Sequence, residues 1–147
     1  MKTIVFLQNA WSPVFAGCLW PRESWIRALA KSRSGQRLRN LIEDFELCEN
    51  TTQSVGATAD SVEPPDDQYI AEILKKRKPD IVITCGKQAE LALVRLWSGN
   101  LIAIPHPAHR LVTNALYKQA KEILLSNTPP GRIALRQKIG FVLIENI

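Results

Sequence analysis

The sequence has few residues that could hold a metal or form a disulfide framework. It contains three cysteines, an odd number, and Cys18, Cys48 and Cys85 form no CxxC pair. The cysteine spacing therefore supports neither a zinc site nor a disulfide scaffold. Cys85 ends the run DIVITC, where a free thiol acts as a small buried hydrophobe. Three reduced thiols are typical of a cytoplasmic protein, which is the location we expect.

Long apolar runs and nucleotide-binding signatures are absent as well. No stretch approaches the ~20 apolar residues of a membrane span, and the opening MKTIVFL is too short for a secretory signal. The sequence has no Walker loop, no GxGxxG, no GxSxG and no acidic cluster. These absences argue against a phosphotransferase, a nucleotide-cofactor enzyme and a metalloenzyme. We expect no cofactor, no metal and no membrane partner.

The remaining composition is that of an ordinary folded domain. The chain has 147 residues, of which 46% are hydrophobic and 22% charged, so it is long enough to bury a core. The net charge of +5 suits a polyanionic partner, although many proteins of this charge bind no nucleic acid. We expect a monomer with one domain over residues 1–128. The tail, residues 129–147, either packs on that domain or adds a strand.

Apolar periodicity alternates between strands and helices along the chain. Short apolar runs predict four strands, Thr3–Leu7, Phe45–Cys48, Asp80–Cys85 and Leu101–Ile104. Apolar residues at helical spacing predict helices over Ser24–Ala30, Gln36–Asp44, Asp67–Lys78, Lys87–Trp97 and Leu111–Leu125. The last two strands and the helix between them have the lengths of a parallel crossover. The element order therefore predicts the α/β class, with a three-layer α/β/α sandwich around a four-stranded, mostly parallel sheet.

Polar residues follow each predicted strand, where an open parallel sheet binds its ligands. They are Gln8-Asn9, Glu49-Asn50, Gly86-Lys87, and His106 with Arg110. Both histidines of the chain fall in one short stretch, IPHPAHR. Amide and imidazole groups without a carboxylate cluster indicate a site that hydrogen-bonds a planar polar ligand.

Three segments together resemble the uracil-DNA glycosylase superfamily, and a fourth stands where the family has its first motif. HPAHR after an apolar strand resembles that family's HPS/HPA loop, and KPDIVITCGKQAELAL resembles the strand and L-G-x-x-A element ahead of it. SGQRLRNLIEDFELCENTT resembles the segment that ends in a strand and T-N. IVFLQNA stands where the family has G-E-A-P-G or G-I-N-P-G, with Gln8 in place of glycine and Trp11 or Ser12 in place of Pro-Gly. The resemblance covers residues 1–125 and implies the family's fold.

The resemblance also implies roles for individual residues. His106 would donate a hydrogen bond to O2 of a pyrimidine that leaves as an anion, and Asn9 would orient the attacking water. Asn50 would bind the O4 and N3–H edge of the base, and Trp20 or Phe15 would stack on it. The loop after the histidine would enter the minor groove of DNA with Pro107, Ala108, His109, Arg110 and Leu111. The family resemblance implies hydrolysis of the glycosidic bond of uracil or a modified pyrimidine in DNA.

Other interpretations of these residues stay open. Asparagines at strand ends are common turn formers, a histidine before proline is often structural, and tryptophans are more often core residues than stacking platforms. The altered first segment is compatible with a DNA-binding protein of the same fold that has lost catalysis. An enzyme acting on a free nucleobase or nucleotide is a third possibility. Salt-dependent binding to duplex DNA and release of a base would distinguish the three.

Overall fold

The fold is built on one seven-stranded, mostly parallel sheet. The computed structural model describes residues 2–7, 19–28, 32–41, 45–49, 65–107, 109, 111–126 and 128–147. The strands are β1 Thr3–Leu7, β2 Leu19–Trp20, β3 Glu46–Glu49, β4 Ile81–Cys85, β5 Asn100–Ile104, β6 Arg132–Lys138 and β7 Phe141–Asn146. The helices are α1 Arg22–Ala28, α2 Arg33–Leu41, α3 Asp67–Arg77, α4 Lys87–Leu96 and α5 Asn114–Leu125. The strands lie side by side in the order β2-β3-β1-β4-β5-β6-β7. The α/β class is confirmed, but the prediction of four strands is wrong.

The three strands beyond the four predicted ones are β2 and, in the tail, β6 and β7. β2 has only two residues and pairs antiparallel with β3. β6 continues the sheet in parallel with β5, and β7 returns antiparallel to β6. Basic side chains interrupt the apolar alternation of β6, whose sequence is RIALRQK. Gly140, with φ of 82°, lies in the two-residue turn between β6 and β7, where that backbone conformation favours glycine.

The central strands are buried throughout because helices cover both sides of them. Every residue of β1 and of β4 is buried, as expected for parallel strands inside an α/β protein. β1 pairs in parallel with β3 on one side and β4 on the other. β4 pairs in parallel with β5, which confirms the predicted crossover.

Two separate hydrophobic cores lie on the two faces of the sheet. We call the face covered by α1, α2 and α5 the front face, where Trp25, Leu38 and Leu116 pack on the strands. The back face is covered by α3 and α4, with Ile70 and Leu93 among its buried side chains. No helix in the described ranges is both long and apolar enough to cross a membrane.

The helix ends follow local chemistry closely. The Asp66 carboxylate accepts a hydrogen bond from the Tyr69 N–H at 3.1 Å and caps α3, a position that aspartate favours. Lys78 ends that helix in the left-handed conformation, with φ of 48°, and Pro79 follows. α5 begins at Asn114, three residues later than expected, so the loop after β5 extends to Thr113.

Two consecutive crossovers run over opposite faces of the sheet. The chain steps in the same direction from β4 to β5 and from β5 to β6, but α4 lies on the back face and α5 on the front face. The two connections therefore have opposite hands, whereas about 98% of parallel crossovers are right-handed. Because the chain leaves β4 toward the back and β5 toward the front, a crevice opens between their carboxyl ends.

Candidate functional site

The crevice between β4 and β5 forms a cavity of about 330 Å³. It is lined by Gly86, Lys87, Glu90, Ile104, Pro105, His106, His109 and Arg136. Gly86, with φ of 98°, turns the chain from β4 into α4, and its N–H donates to the Ile104 carbonyl at 3.0 Å. In open parallel sheets, ligands bind where neighbouring connections part to opposite faces. Strand topology thus identifies this cavity as a candidate site independently of any sequence motif.

His106 lies two residues beyond the end of β5 and lines the cavity. Burial lowers the pKa of its imidazole, and the nearby charge of His109 lowers it further. A histidine in such surroundings is neutral near pH 7 and carries one N–H and one acceptor nitrogen. The side chain is therefore a neutral hydrogen-bond donor at the carboxyl edge of the sheet.

His109 faces outward on the same turn. Its backbone N–H donates to the His106 carbonyl at 2.9 Å, which closes a tight turn. Its Nδ1 accepts a hydrogen bond from the Leu111 N–H at 3.3 Å. The Leu111 side chain is 77% exposed.

Arg37 of α2 holds this loop from the front face. Its guanidinium donates to the carbonyls of Pro107 at 2.6 Å, His109 at 3.2 Å and Val112 at 3.2 Å. The same guanidinium lies 5.7 Å from the ring centre of Tyr117, within the range of a cation–π contact. Four carbonyl and aromatic contacts to one planar cation keep the loop in a single arrangement.

Tyr117 of α5 adds a second restraint on the loop. Its hydroxyl donates to the Pro105 carbonyl at 3.3 Å, immediately before His106. Burial raises the pKa of this phenol, so the hydroxyl keeps its proton and remains a donor. The backbone on both sides of His106 is thus fixed by side chains of the front helices.

A buried ion pair forms the opposite wall of the cavity. Glu90 of α4 is 6% exposed, and its two carboxylate oxygens accept from the two terminal nitrogens of Arg136 on β6, one at 2.7 Å. Lys87 Nζ lies 3.6 Å from Glu90 Oε2. Burial alone would raise the pKa of Glu90, but the hydrogen bonds and charges of Arg136 and Lys87 outweigh it and lower the pKa. Glu145 of β7 accepts from Arg136 Nε at 2.7 Å and holds the guanidinium from its other side.

Five of the other predicted site residues lie outside the described residues: Asn9, Phe15, Asn50, Ala108 and Arg110. For the two asparagines, the preceding strands are informative. β1 ends at Leu7 and β3 at Glu49, which are paired in register, beside the end of β4. Asn9 and Asn50 thus follow strands that end at the same edge as β5.

Trp20 and Pro107 are placed differently from what their predicted roles require. Trp20 lies on β2, four strand steps from β5, about 19 Å at ~4.8 Å per step, and packs against the front core. The structure does not bring it to His106. Pro107 is buried, with its carbonyl bonded to Arg37, so within the described part of the loop His109 and Leu111 are the outward-facing side chains.

The sequence contained only a partial signal for the residues that support the site. Glu90 lies on the buried side of α4 between Ala89 and Leu93, and a carboxylate on the apolar side of a helix indicates a buried partner. Nothing in the sequence identified that partner as Arg136, because its strand was not predicted. Arg37 gave no signal at all, since an arginine on an amphipathic helix is usually solvated.

Comparisons with protein-family models, curated proteins and solved structures found no match. In the part of the chain that the structure describes, no three His, Cys, Asp or Glu side chains come together as a metal site.

Proposed function

We propose that the protein is a DNA glycosylase that hydrolyses the N-glycosidic bond of uracil or a modified pyrimidine. The observation that carries this proposal is the placement of a neutral, half-buried His106 in a cavity at the carboxyl edge of a parallel sheet. This is the environment in which an imidazole donates to a developing oxyanion. Its place in HPAHR is the position that the uracil-DNA glycosylase resemblance assigns to the donor.

The reaction breaks the C1′–N1 bond, and its electron pair leaves with the base. Negative charge then spreads onto O2 of the pyrimidine, where an N–H of His106 stabilises it. The oxygen of water bonds to C1′, and the proton it loses goes through solvent to the departing base. A preorganised donor of this kind lowers the activation barrier by ~2–4 kcal/mol. Asn9 would orient the water and Asn50 the base edge.

The cavity and its outer rim fit an extruded nucleotide. A volume of about 330 Å³ lies at the small end of ligand pockets, which favours a single base with its sugar. Leu111 stands exposed on a loop that Arg37 and Tyr117 hold in place. A rigid loop that presents one apolar side chain suits a wedge that fills the gap left in the base stack. Lys87, with two thirds of its side chain exposed, adds a cation beside the cavity for a phosphate.

A single-turnover assay on labelled oligonucleotides tests the proposal. The substrates are duplex and single-stranded DNA carrying uracil, mismatched uracil or thymine, or an oxidised pyrimidine. Abasic sites are expected with the native protein, and His106→Ala should lower the saturating rate about 10²–10³-fold. Asn9→Ala should also lower it.

His109→Ala is the matched control because it removes the other imidazole of the chain from an exposed position. It should weaken DNA binding and lower the saturating rate much less than His106→Ala does, since the His109 side chain is exposed. Salt-sensitive DNA binding without base release from any substrate would make the protein a DNA-binding member without catalysis. Absence of both would refute the proposal and favour a free nucleobase or nucleotide as the ligand.

A further inference from the structure

β7 is an edge strand whose apolar side chains are exposed on both faces. Phe141 is 59% exposed, Leu143 39% and Ile144 48%. Edge strands are usually protected from pairing by lysines, prolines or bulges. The sequence of β7, FVLIEN, has one charged residue, Glu145, and its carboxylate is already bonded to Arg136. This edge is therefore open to pairing with another strand.

The hydrogen-bond register with β6 shows which backbone groups of β7 face outward. The Ile147 N–H donates to the Arg132 carbonyl at 3.0 Å. Bonded and non-bonded pairs alternate along an antiparallel ladder, so the pairs of Phe141, Leu143 and Glu145 with β6 are bonded ones. Val142, Ile144 and Asn146 consequently point their N–H and carbonyl groups away from β6, toward the open edge.

We propose that the protein forms a two-fold dimer by antiparallel pairing of β7 with β7 of a second copy. This takes the place of the monomer expected from the sequence. A two-fold axis perpendicular to the sheet places the same face of both copies on the same side of the joined sheet. Under this symmetry, one residue of β7 must lie directly opposite the same residue of the second copy, and the axis passes between the two. Centred on Leu143, the pairing bonds Val142 to the second copy's Ile144 and places the two Leu143 side chains opposite each other, so that of the apolar side chains Phe141 alone lies against a polar residue, Glu145. Centred on Ile144, it would place both Val142 and Leu143 against polar residues, Asn146 and Glu145.

The exposed apolar area favours a second copy as the occupant. Ile139, Phe141, Leu143 and Ile144 together expose on the order of 400 Å² per copy, at ~150–250 Å² for a fully exposed large side chain. Two copies and their paired backbones reach the ~1,000 Å² expected of a specific interface.

Sedimentation equilibrium with edge variants tests the interface. Val142→Pro removes an N–H that points away from β6, so it should leave the hairpin folded and raise the dimer dissociation constant more than tenfold. Leu125→Lys is the control, because Leu125 is 70% exposed but lies on α5, and it should change the constant less than twofold. Thermal unfolding checks that both variants fold. A monomer at about 1 mM protein, or a dimer unaffected by Val142→Pro, would overturn the proposal.

Oxidative cross-linking tests the register. Opposite residues of a non-bonded antiparallel pair have Cα atoms ~4.5 Å apart, within disulfide range. Leu143→Cys should therefore give a covalent dimer, whereas Glu145→Cys, opposite Phe141, should not. Cys18→Ser is used as the background because Cys48 and Cys85 are buried. Equal cross-linking of both variants would overturn the Leu143-centred pairing.

Discussion

Removing Arg136 tests the role of the buried ion pair most directly. The Arg136→Met variant keeps most of the aliphatic bulk of the side chain and removes the guanidinium. Glu90 is then left as a carboxylate that is 6% exposed, and among the described residues Lys87 at 3.6 Å remains as its ionic partner. An uncompensated buried charge costs ~3–5 kcal/mol.

Solvent at the edge of the pair lowers that figure. Arg136 retains a quarter of its side-chain exposure, so water already screens part of the interaction. We therefore expect the free energy of unfolding to fall by about 2–3 kcal/mol, or roughly 4–12 °C in Tm for a chain of this length. Glu90→Gln should cost less, since Arg136 keeps Glu145 at 2.7 Å and its own access to water.

Urea unfolding between pH 4 and pH 8 measures both the size and the sign of the effect. In the native protein the lowered pKa of Glu90 contributes stability above the ordinary carboxyl pKa, and this is lost as the pH falls through the folded value. Without Arg136, burial raises the pKa instead, so the variant loses stability as the pH rises. The difference between the two proteins should thus grow from pH 4 to pH 7. A cost below about 1 kcal/mol at pH 7, or Glu90→Gln costing more than Arg136→Met, would refute this account of the ion pair.

Three further predictions concern the His106 loop. Arg37→Met removes three hydrogen bonds to carbonyls of the loop after β5 and should speed amide hydrogen exchange in that loop at least tenfold. Arg39→Met, at an exposed position, should leave the exchange unchanged. Equal protection in the two variants would contradict the role of Arg37 in holding the loop. Because its pKa is lowered, His106 should titrate below ~6.5 by NMR. The free energy of unfolding should therefore fall as the pH drops from ~6.5 through the folded-state pKa of His106. His106→Gln should abolish this pH dependence. If the loop inserts into DNA, Leu111→Ala should weaken duplex binding about tenfold without changing Tm, while equally exposed Leu125→Ala should do neither; unchanged binding would exclude the wedge.

Local sequence patterns predicted the central layers of the fold well. The β1 and β4 runs are apolar except for one threonine each because both of their faces are covered. Asp66 and Pro79 mark the ends of α3 through capping and the loss of a donor. The β4–α4–β5 crossover followed from element lengths alone. These features depend on neighbours within a few residues, which a single sequence displays.

The features that define the candidate site depend on contacts between distant segments. Arg136 is 46 residues from Glu90, and Arg37 is 70 residues from Pro107. Neither partner is visible in local periodicity, and β6 itself becomes a strand by pairing with β5. His106 could be proposed from its position after an apolar strand, but the direction in which the chain leaves that strand could not.

The hand of the β5–α5–β6 connection links these features. If α5 followed the usual hand relative to α4, it would lie on the back face, and the ends of β4 and β5 would turn the same way. The crevice at His106 would then close, and α5 could not present Tyr117 to the Pro105 carbonyl beside α2 and Arg37. With α5 on the front face, the back face of β6 is left to α4, and this allows Arg136 to reach Glu90. The carboxylate of Glu145 on β7 supports the same guanidinium, so the hairpin that extends the sheet also forms one wall of the cavity. A change in the β6–β7 hairpin should therefore reach the candidate site through Arg136, although the hairpin follows every segment on which the family resemblance rests.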